Sequence, residues 1–385
     1  MTAQQPQLER RITIDVTNQR AGGGLQVALS TLEAIGDDVA VRLVCLNSGP
    51  LEKVGRSRGW QVVVRRDSRM LRALRQLAPK FLRNRDIDAS VVYTVFGPPM
   101  RGPRIDTTIV GVAYSNLFYP ELNFWRNENL GRRLARRVRD SLRLRAILKA
   151  DALVFETEAT RSRAVQQHPQ LKSRSTMVMP PAPRAEFDGI GMGRVRHPRA
   201  VPQILLASSW HPNKNLEMVP YVAAAMRDMG AQGIFALTLV PQSDGARRLS
   251  ELARDLGVEE RIKFIGRINP HEMTAAVGAS DCILLISELE SFSNNVIEAL
   301  AAGVPLVVSD RDWARSAAGA AALYCDPTSA PSVARAVMRA TSDVSLRESL
   351  ATEGREVLKR NFLAPDRRAE AILQFCWASM REQCR

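Results

Sequence analysis

The sequence predicts an α/β protein made of two open, mainly parallel sheets. Three observations carry this expectation. Short apolar runs alternate with helical patterns along the whole chain, the rhythm of parallel strands joined by helical crossovers. A stretch dense in Pro180, Pro181, Pro183, Gly189, Gly191, Gly193 and Pro198 interrupts that rhythm, and such residues break helix and strand alike. The chain has 385 residues, enough for two domains at roughly 100–200 residues each. The expected organisation is a first domain over 1–180, a linker over 181–201, a second domain over 202–366 and a terminal helix over 367–385.

The elements follow in order. Ile12 to Val16 is a strand. It leads into Gly22-Gly23-Gly24 and then a helix whose apolar side is Leu25, Ala28, Leu29, Leu32 and Ile35. Val39 to Leu46, Trp60 to Val64, Ala89 to Val95 and Thr107 to Ala113 are further strands, with a basic helix over 68–81. A long Arg-rich helix precedes the strand at Asp151 to Glu156, and Ser175 to Met179 closes the half. In the second half, strands are expected at Pro202 to Ala207, Gly233 to Val240, Ile262 to Phe264, Cys282 to Ile286, Val304 to Ser309 and Ala321 to Tyr324. Helices are expected at Asn213 to Arg227, Ala246 to Leu256, Asn269 to Ala279, Asn295 to Ala302, 329–341 and 343–357.

Composition narrows the class. Hydrophobic residues make up 45% and charged residues 24%, which supports a packed core and excludes a disordered chain. The five cysteines, Cys45, Cys282, Cys325, Cys376 and Cys384, form no CxxC. Their scatter argues against a disulfide framework or a thiolate metal site and for a reducing compartment. The polar opening MTAQQPQLER predicts no secretory leader. No run reaches the ~18–20 apolar residues of a bilayer span. A cytoplasmic protein is expected, with room for association with the inner face of the plasma membrane.

Charge is unevenly spread. Of the net +14, residues 1–190 carry 31 Lys+Arg against 18 Asp+Glu, and the remainder carry 23 against 22. A basic first half favours an anionic partner without choosing among lipid, nucleic acid and phosphorylated substrate.

Open α/β sheets bind ligands beyond the carboxyl ends of their strands, so the loops there are where chemistry is expected. Glu290-Ser-Phe-Ser-Asn-Asn295 follows an apolar strand and opens a helix containing Glu298. Carboxylates accept hydrogen bonds from hydroxyls, and the N–H groups near Ser293, Asn294 and Asn295 at a helix start suit a phosphate. A polar loop capping an ordinary helix, with Glu298 on the surface, has the same spacing. Ser209-Trp-His211-Pro-Asn-Lys214-Asn215 leaves the neighbouring strand. Lys214 there is either a point charge for a diphosphate or a solvated lysine in a turn. Gly22, Gly23 and Gly24 allow close approach of backbone to an anion, or simply make a turn. They are not GxGxxG, and no P-loop lysine follows.

Together these residues resemble the GT-B glycosyltransferases, in the retaining group often called glycosyltransferase family 4. The match is best over about 202–330. Glu290 and Glu298 reproduce the family's E-x7-E, and Glu298-Ala-Leu-Ala-Ala-Gly-Val-Pro305 is similar in text. The resemblance implies two Rossmann-like domains facing across a cleft, and transfer of a sugar from a nucleoside diphosphate to an acceptor hydroxyl with retention. It implies no cofactor and no metal, since protein cations stabilise the leaving diphosphate. It places Glu290 by the donor sugar, Glu298 on the ribose hydroxyls, Lys214 on the diphosphate and Gly22 to Gly24 near phosphate and acceptor. Glu290 and Lys214 are the catalytic candidates, with Gly22, Gly23, Gly24, Ser209, Arg267, Ser293, Asn294, Asn295 and Glu298 completing the donor set.

The chain departs from the family in three places. Ser209 stands where many members have an arginine, which leaves Arg267 as a replacement cation. The region Gly111-Val-Ala-Tyr-Ser-Asn116 lacks the family's histidine, so Tyr114 and Asn116, with His211, are the candidate acceptor or donor-sugar contacts. Ser293 replaces a common glycine. Asp310-Arg-Asp312 has the letters of a metal-binding DxD but reads as the start of a helix.

The acceptor is expected to be a glycan, a lipid-linked acceptor such as a lipid diphosphate, or a small molecule, in bacterial surface polysaccharide or lipopolysaccharide assembly. Residues 132–150 interleave seven arginines with Leu134, Val138, Leu142, Leu144 and Ile147. This segment is either a basic amphipathic helix on anionic lipid or a helix solvated on its own domain. The aromatic run Phe118, Tyr119, Phe124, Trp125 is either acceptor loop or packing. Three other classes compete. A nicotinamide enzyme wants a GxGxxG opening a helix and an acidic residue about twenty positions on, which the N-terminal glycines do not supply. A nucleotide-sugar epimerase shares the layout, but His168, His197, His211 and His271 suggest no acid–base set. A nucleic-acid binder explains the charge and leaves Glu290, Glu298 and Lys214 without a purpose.

Overall fold

A computed structural model describes residues 11–46, 49–65, 84, 86–122, 124–125, 128–183 and 199–382. The basic helix expected over 68–81, most of the 181–201 linker, His197 and Cys384 lie outside the described residues. These residues divide into two compact units. The first holds those up to Pro120, from Glu128 to Ala182 and from Leu363 onward. The second holds Glu121 to Trp125 and Pro183 to Phe362. The second unit therefore takes a short piece from within the first half of the sequence, which the expected 1–180 domain did not separate.

The first unit runs β1 (Arg11–Asp15), α1 (Gly22–Glu33), β2 (Ala40–Leu46), α2 (Pro50–Ser57), β3 (Gln61–Arg65), β4 (Asp88–Thr94), β5 (Arg104–Val112), α3 (Leu130–Ile147), β6 (Ala152–Phe155), α4 (Glu158–Gln167) and β7 (Ser175–Val178). Its seven strands are parallel in the order β3-β2-β1-β4-β5-β6-β7. The order reverses direction beside β1, where β1 lies between β2 and β4 in register Ile14↔Leu43 and Ile14↔Tyr93. Parallel strands need both faces covered, and the burial of Ala152 to Phe155 along all of β6 reflects this.

The second unit runs β8 (Gln203–Leu206), α5 (Met218–Asp228), β9 (Ile234–Leu237), α6 (Asp244–Asp255), β10 (Ile262–Phe264), α7 (Pro270–Ala279), β11 (Cys282–Leu285), α8 (Asn294–Ala302), β12 (Leu306–Ser309), α9 (Asp312–Ala318), β13 (Leu323–Cys325), α10 (Ala330–Ser342) and α11 (Val344–Asn361). Six parallel strands lie in the order β10-β9-β8-β11-β12-β13. Here β8 sits between β9 and β11, so the loops after β8 and β11 are neighbours at the carboxyl edge. Gly303 ends α8 at φ 63°, a left-handed cap that glycine adopts without steric cost. The Asp310-Arg311-Asp312 segment does begin a helix, with Asp312 opening α9 and Asp310 held by Arg315 at 2.6 and 2.9 Å.

The terminal helix α12 (Pro365–Glu382) packs into the first unit. Ala369, Ile372, Leu373 and Cys376 join the core formed by Ile12, Leu32 and Leu43, with Phe375 and Trp377 packed alongside. Arg368 is 4% exposed. It donates from Nη1 to Thr31 Oγ1 at 2.7 Å and from Nε to the Pro180 carbonyl at 2.7 Å. Burial presses its guanidinium below the usual value, while Tyr93 and Glu156 act in the opposite direction. Burying Ile372 and Leu373 contributes about 1.5–3 kcal/mol each, against about 5–15 kcal/mol for a whole domain. A chain ended before Arg367 is therefore expected to melt well below the full chain. An unchanged calorimetric melting curve would contradict this packing.

The described cysteines are buried and free. Burial pushes the Cys45 thiol up to about 11, and Cys282 and Cys325 up to about 12, so these thiols stay protonated and inert.

Candidate active site

The second unit builds a constellation where β8 and β11 end. After Leu206 the chain runs out to Pro212, makes one 3-10 turn through Lys214, and passes Asn215 at φ 54° before α5 begins. The sequence predicted a helix from Asn213. The left-handed residue prevents it, and asparagine is among the few non-glycine residues that tolerate this conformation. Its carboxamide Nδ2 donates to the Pro327 carbonyl at 2.7 Å, which holds the turn.

Asn213 ties this turn to the loop after β11. Its Nδ2 donates to the Leu289 carbonyl at 2.8 Å, and its own carbonyl accepts from the Glu288 N–H at 2.8 Å. With both loops fixed, Lys214 Nζ meets Glu290 Oε1 at 2.5 Å. The lysine side chain is 22% exposed and the glutamate 10%, so the pair is partly withdrawn from water yet reachable. Asn295 Nδ2 crosses back to the Ala207 carbonyl at 2.9 Å. Three side-chain links, made by Asn213, by Lys214 with Glu290 and by Asn295, thus join the loops after β8 and β11 into one corner.

Ser293 precedes α8 in extended conformation and is buried, but its hydroxyl makes no cap to the helix. The first N–H groups of any helix lack intrahelical partners, which leaves the start of α8 at Asn294 and Asn295 suited to an anion. Glu298, on the second turn of α8, is 4% exposed. It is not the solvated surface residue that the spacing alone permitted.

Among the described residues, none of the other predicted residues hydrogen-bonds to the side chain of Lys214 or Glu290. Ser209 is exposed beyond β8. Arg267 is exposed after β10, and among the described residues it makes no hydrogen bond or ion pair. His211 Nδ1 closes on Asn213 Oδ1, and the Trp125 ring meets the imidazole edge-on at 5.0 Å. Gly22, Gly23 and Gly24 belong to the first unit. They are not a loop preceding the helix, as read from the sequence, but the first turn of α1 itself, with Gly22 at φ 69°. Tyr114 and Asn116 follow β5 in the same unit. Arg143 lies over the Tyr114 ring at 4.7 Å, and Asn116 Nδ2 donates to Asp140 Oδ2 at 3.3 Å. Among the described residues, no group of three or more His, Cys, Asp or Glu is placed to hold a metal ion.

The sequence reading missed Asn213, Asn215 and Trp125 in these roles. The first two had a signal in the Pro-Asn-Lys-Asn turn text. Trp125 had none, because its partner His211 lies far along the sequence.

Residues 196–357 match the family described as glycosyl transferases group 1. That segment is similar to the group 1 glycosyl transferases. The lysine–glutamate corner, Asn295 and Glu298 all fall inside it. A lipopolysaccharide core biosynthesis glycosyltransferase, LpsE, of Rhizobium meliloti is 34% identical over 124 residues, 31% of this chain and 36% of that protein. A D-inositol 3-phosphate glycosyltransferase of Nocardia farcinica is 26% identical over 173 residues, 43% of this chain and 38% of its own length. The chain thus spans little more than a third of the length of these curated relatives. The solved structure of Anabaena Alr3699/HepE in complex with UDP and glucose aligns over 94% of this chain and 98% of its own, with TM-score 0.65 and 16% identity. At that identity the likeness shows the fold, which is GT-B. The segment similar to the group 1 glycosyl transferases contains the six-stranded sheet.

Proposed function

We propose that this protein is a retaining, metal-independent glycosyltransferase that moves a sugar from a nucleoside diphosphate to an acceptor hydroxyl. The observation that carries the reading is the Lys214–Glu290 pair, 2.5 Å apart within the segment similar to the group 1 glycosyl transferases, with Lys214 in the turn after β8 and Glu290 on the loop that leads into α8. As the glycosidic bond to the diphosphate breaks, negative charge builds on the leaving oxygens. An ammonium and helix N–H groups already held in place stabilise that charge without reorganising. Lys214 takes the diphosphate, with the N–H groups at Asn294 and Asn295 beside it and Arg267 and Ser209 as further donors. Glu290 orients the sugar through its hydroxyls, and Glu298 holds the ribose. The family resemblance supports retention and the absence of a metal.

The acceptor side is assigned to the first unit, with Gly22, Gly23, Gly24, Tyr114 and Asn116. Surface polysaccharide or lipopolysaccharide assembly is the favoured setting, supported by the name of the Rhizobium relative. A cytoplasmic location against the inner membrane face is supported by α3. Its Leu130, Leu134 and Val138 stand 80%, 61% and 48% exposed, spaced four residues apart on one stripe, with exposed Arg137 and Arg145 among them. Among the described residues, no helix is long and apolar enough to cross a membrane, so such contact would be at the surface.

The stereochemical part has a direct test. UDP-glucose is incubated with the protein and EDTA without acceptor, and the sugar released to water is followed by proton NMR. Retention releases the α-anomer first. First appearance of the β-anomer would establish inversion and contradict the reading.

A further inference from the structure

Helix α3 has a second face, turned toward its own unit. Arg136, Arg139, Asp140 and Arg143 are half-buried there. Arg136 is already engaged, donating to both oxygens of Glu128 at 3.1 and 2.6 Å. Arg143 reaches Asp140 Oδ1 at 3.3 Å and covers the Tyr114 ring at 4.7 Å. Asp140 also accepts from Asn116 at 3.3 Å. Arg139 has no such partner: among the described residues it makes no hydrogen bond or ion pair. Its Nε and that of Arg143 are both buried and unsatisfied. Burial first, and the neighbouring Arg143 second, press the Arg139 guanidinium below its usual value.

A guanidinium held partly out of water, beside another and without a hydrogen-bonded counter-ion, is costly. The charges assembled on this face are three arginines against Glu128 and Asp140, so one positive charge is left over. Tyr114 and Asn116 lie just past the end of β5 at Val112, where open α/β sheets take their ligands. The planar fork of arginine matches phosphate oxygens two at a time.

The geometry points to a phosphate-binding site at the carboxyl end of β5, in which Arg139 and Arg143, flanked by Tyr114 and Asn116, hold a phosphate ester of the acceptor. The inference rests on the proposed transferase reading and adds to it the chemical class of the acceptor. The phosphate has two possible carriers, a soluble sugar phosphate or a lipid phosphate. The outward stripe of α3 is a separate surface from this one.

The test uses the full chain and two probes. Glucose 6-phosphate is titrated by calorimetry, and binding to phosphatidylcholine vesicles with and without phosphatidic acid is read by sedimentation. R139Q is expected to weaken the bound probe by about tenfold or more. R139K, which keeps charge and helix but loses the fork, should weaken it several-fold and covers the case in which R139Q folds poorly. R137Q on the outward stripe and Lys214→Ala should leave glucose 6-phosphate affinity unchanged. Arg139-dependent binding of the sugar phosphate names a soluble carrier. An Arg139-dependent gain on phosphatidic acid vesicles alone names a lipid one, and either supports the site. Neither probe binding the wild-type chain, or binding indifferent to R139Q and R139K, would overturn it. So would loss in Lys214→Ala with no loss in R139Q, which would place the phosphate in the donor site. Failure of the transferase reading is read separately, as absence of nucleotide-sugar binding to the wild-type chain.

Discussion

Lys214→Ala weakens binding of the donor and of the free nucleoside diphosphate alike, by about 10–100-fold, with the fold intact. The magnitude follows from the chemistry: a hydrogen bond to a charged group is worth about 1.5–3 kcal/mol, and every ~1.4 kcal/mol is tenfold in affinity. The fold survives because Lys214 lies in a turn that Asn213 and Asn215 hold through their own carboxamides. The substitution leaves Glu290 without its ammonium, which adds negative charge beside the diphosphate and pushes the effect toward the upper end. Equal affinity for diphosphate in the variant and the wild-type chain, by calorimetry, would remove Lys214 from the site.

Glu290→Gln separates differently. The new carboxamide keeps the shape and one acceptor oxygen but releases Lys214 from its ion pair. Affinity for the nucleoside diphosphate, which lacks the transferred sugar, should hold or rise, because the freed ammonium has only the phosphates to meet. Turnover should fall by about 100-fold, the scale of losing one aligned electrostatic group in a reacting site. Glu298→Gln, by contrast, should weaken donor and free diphosphate together, since the ribose is common to both. A Glu290→Gln enzyme that turns over like wild type, or that loses diphosphate affinity as Lys214→Ala does, would sink the division of labour between the two carboxylates.

The strands and helices were readable because parallel strands buried on both faces are short apolar runs, and β11 at Cys282 to Leu285 is one such run. The E-x7-E text located Glu290 and Glu298, and the structure buries both. What escaped the sequence is set by tertiary contact. The helix expected from Asn213 begins instead at Met218, because Asn215 takes a left-handed conformation stabilised by the distant Pro327 carbonyl. Gly22 to Gly24 read as a loop, since glycine disfavours helix interiors, yet they form a first turn where that cost is smallest. The Trp125–His211 contact, and Arg139's lack of a hydrogen-bond partner among the described residues, depend on which groups meet in three dimensions. The interleaved arginines of α3 were visible in sequence. Which of them turn inward was not, because that depends on Glu128, Tyr114 and Asn116.

Everything proposed for the donor side depends on one property. The corner made by Lys214, Glu290 and the start of α8 must hold a nucleoside-diphosphate sugar without a metal. The most direct measurement is calorimetric titration of the full chain with UDP-, GDP- and dTDP-sugars in EDTA, with Lys214→Ala beside it. Tight binding of one donor by the wild-type chain is expected, with a loss of about tenfold or more in the variant. Binding that appears only when a divalent cation is restored, or that Lys214→Ala leaves untouched, would contradict it.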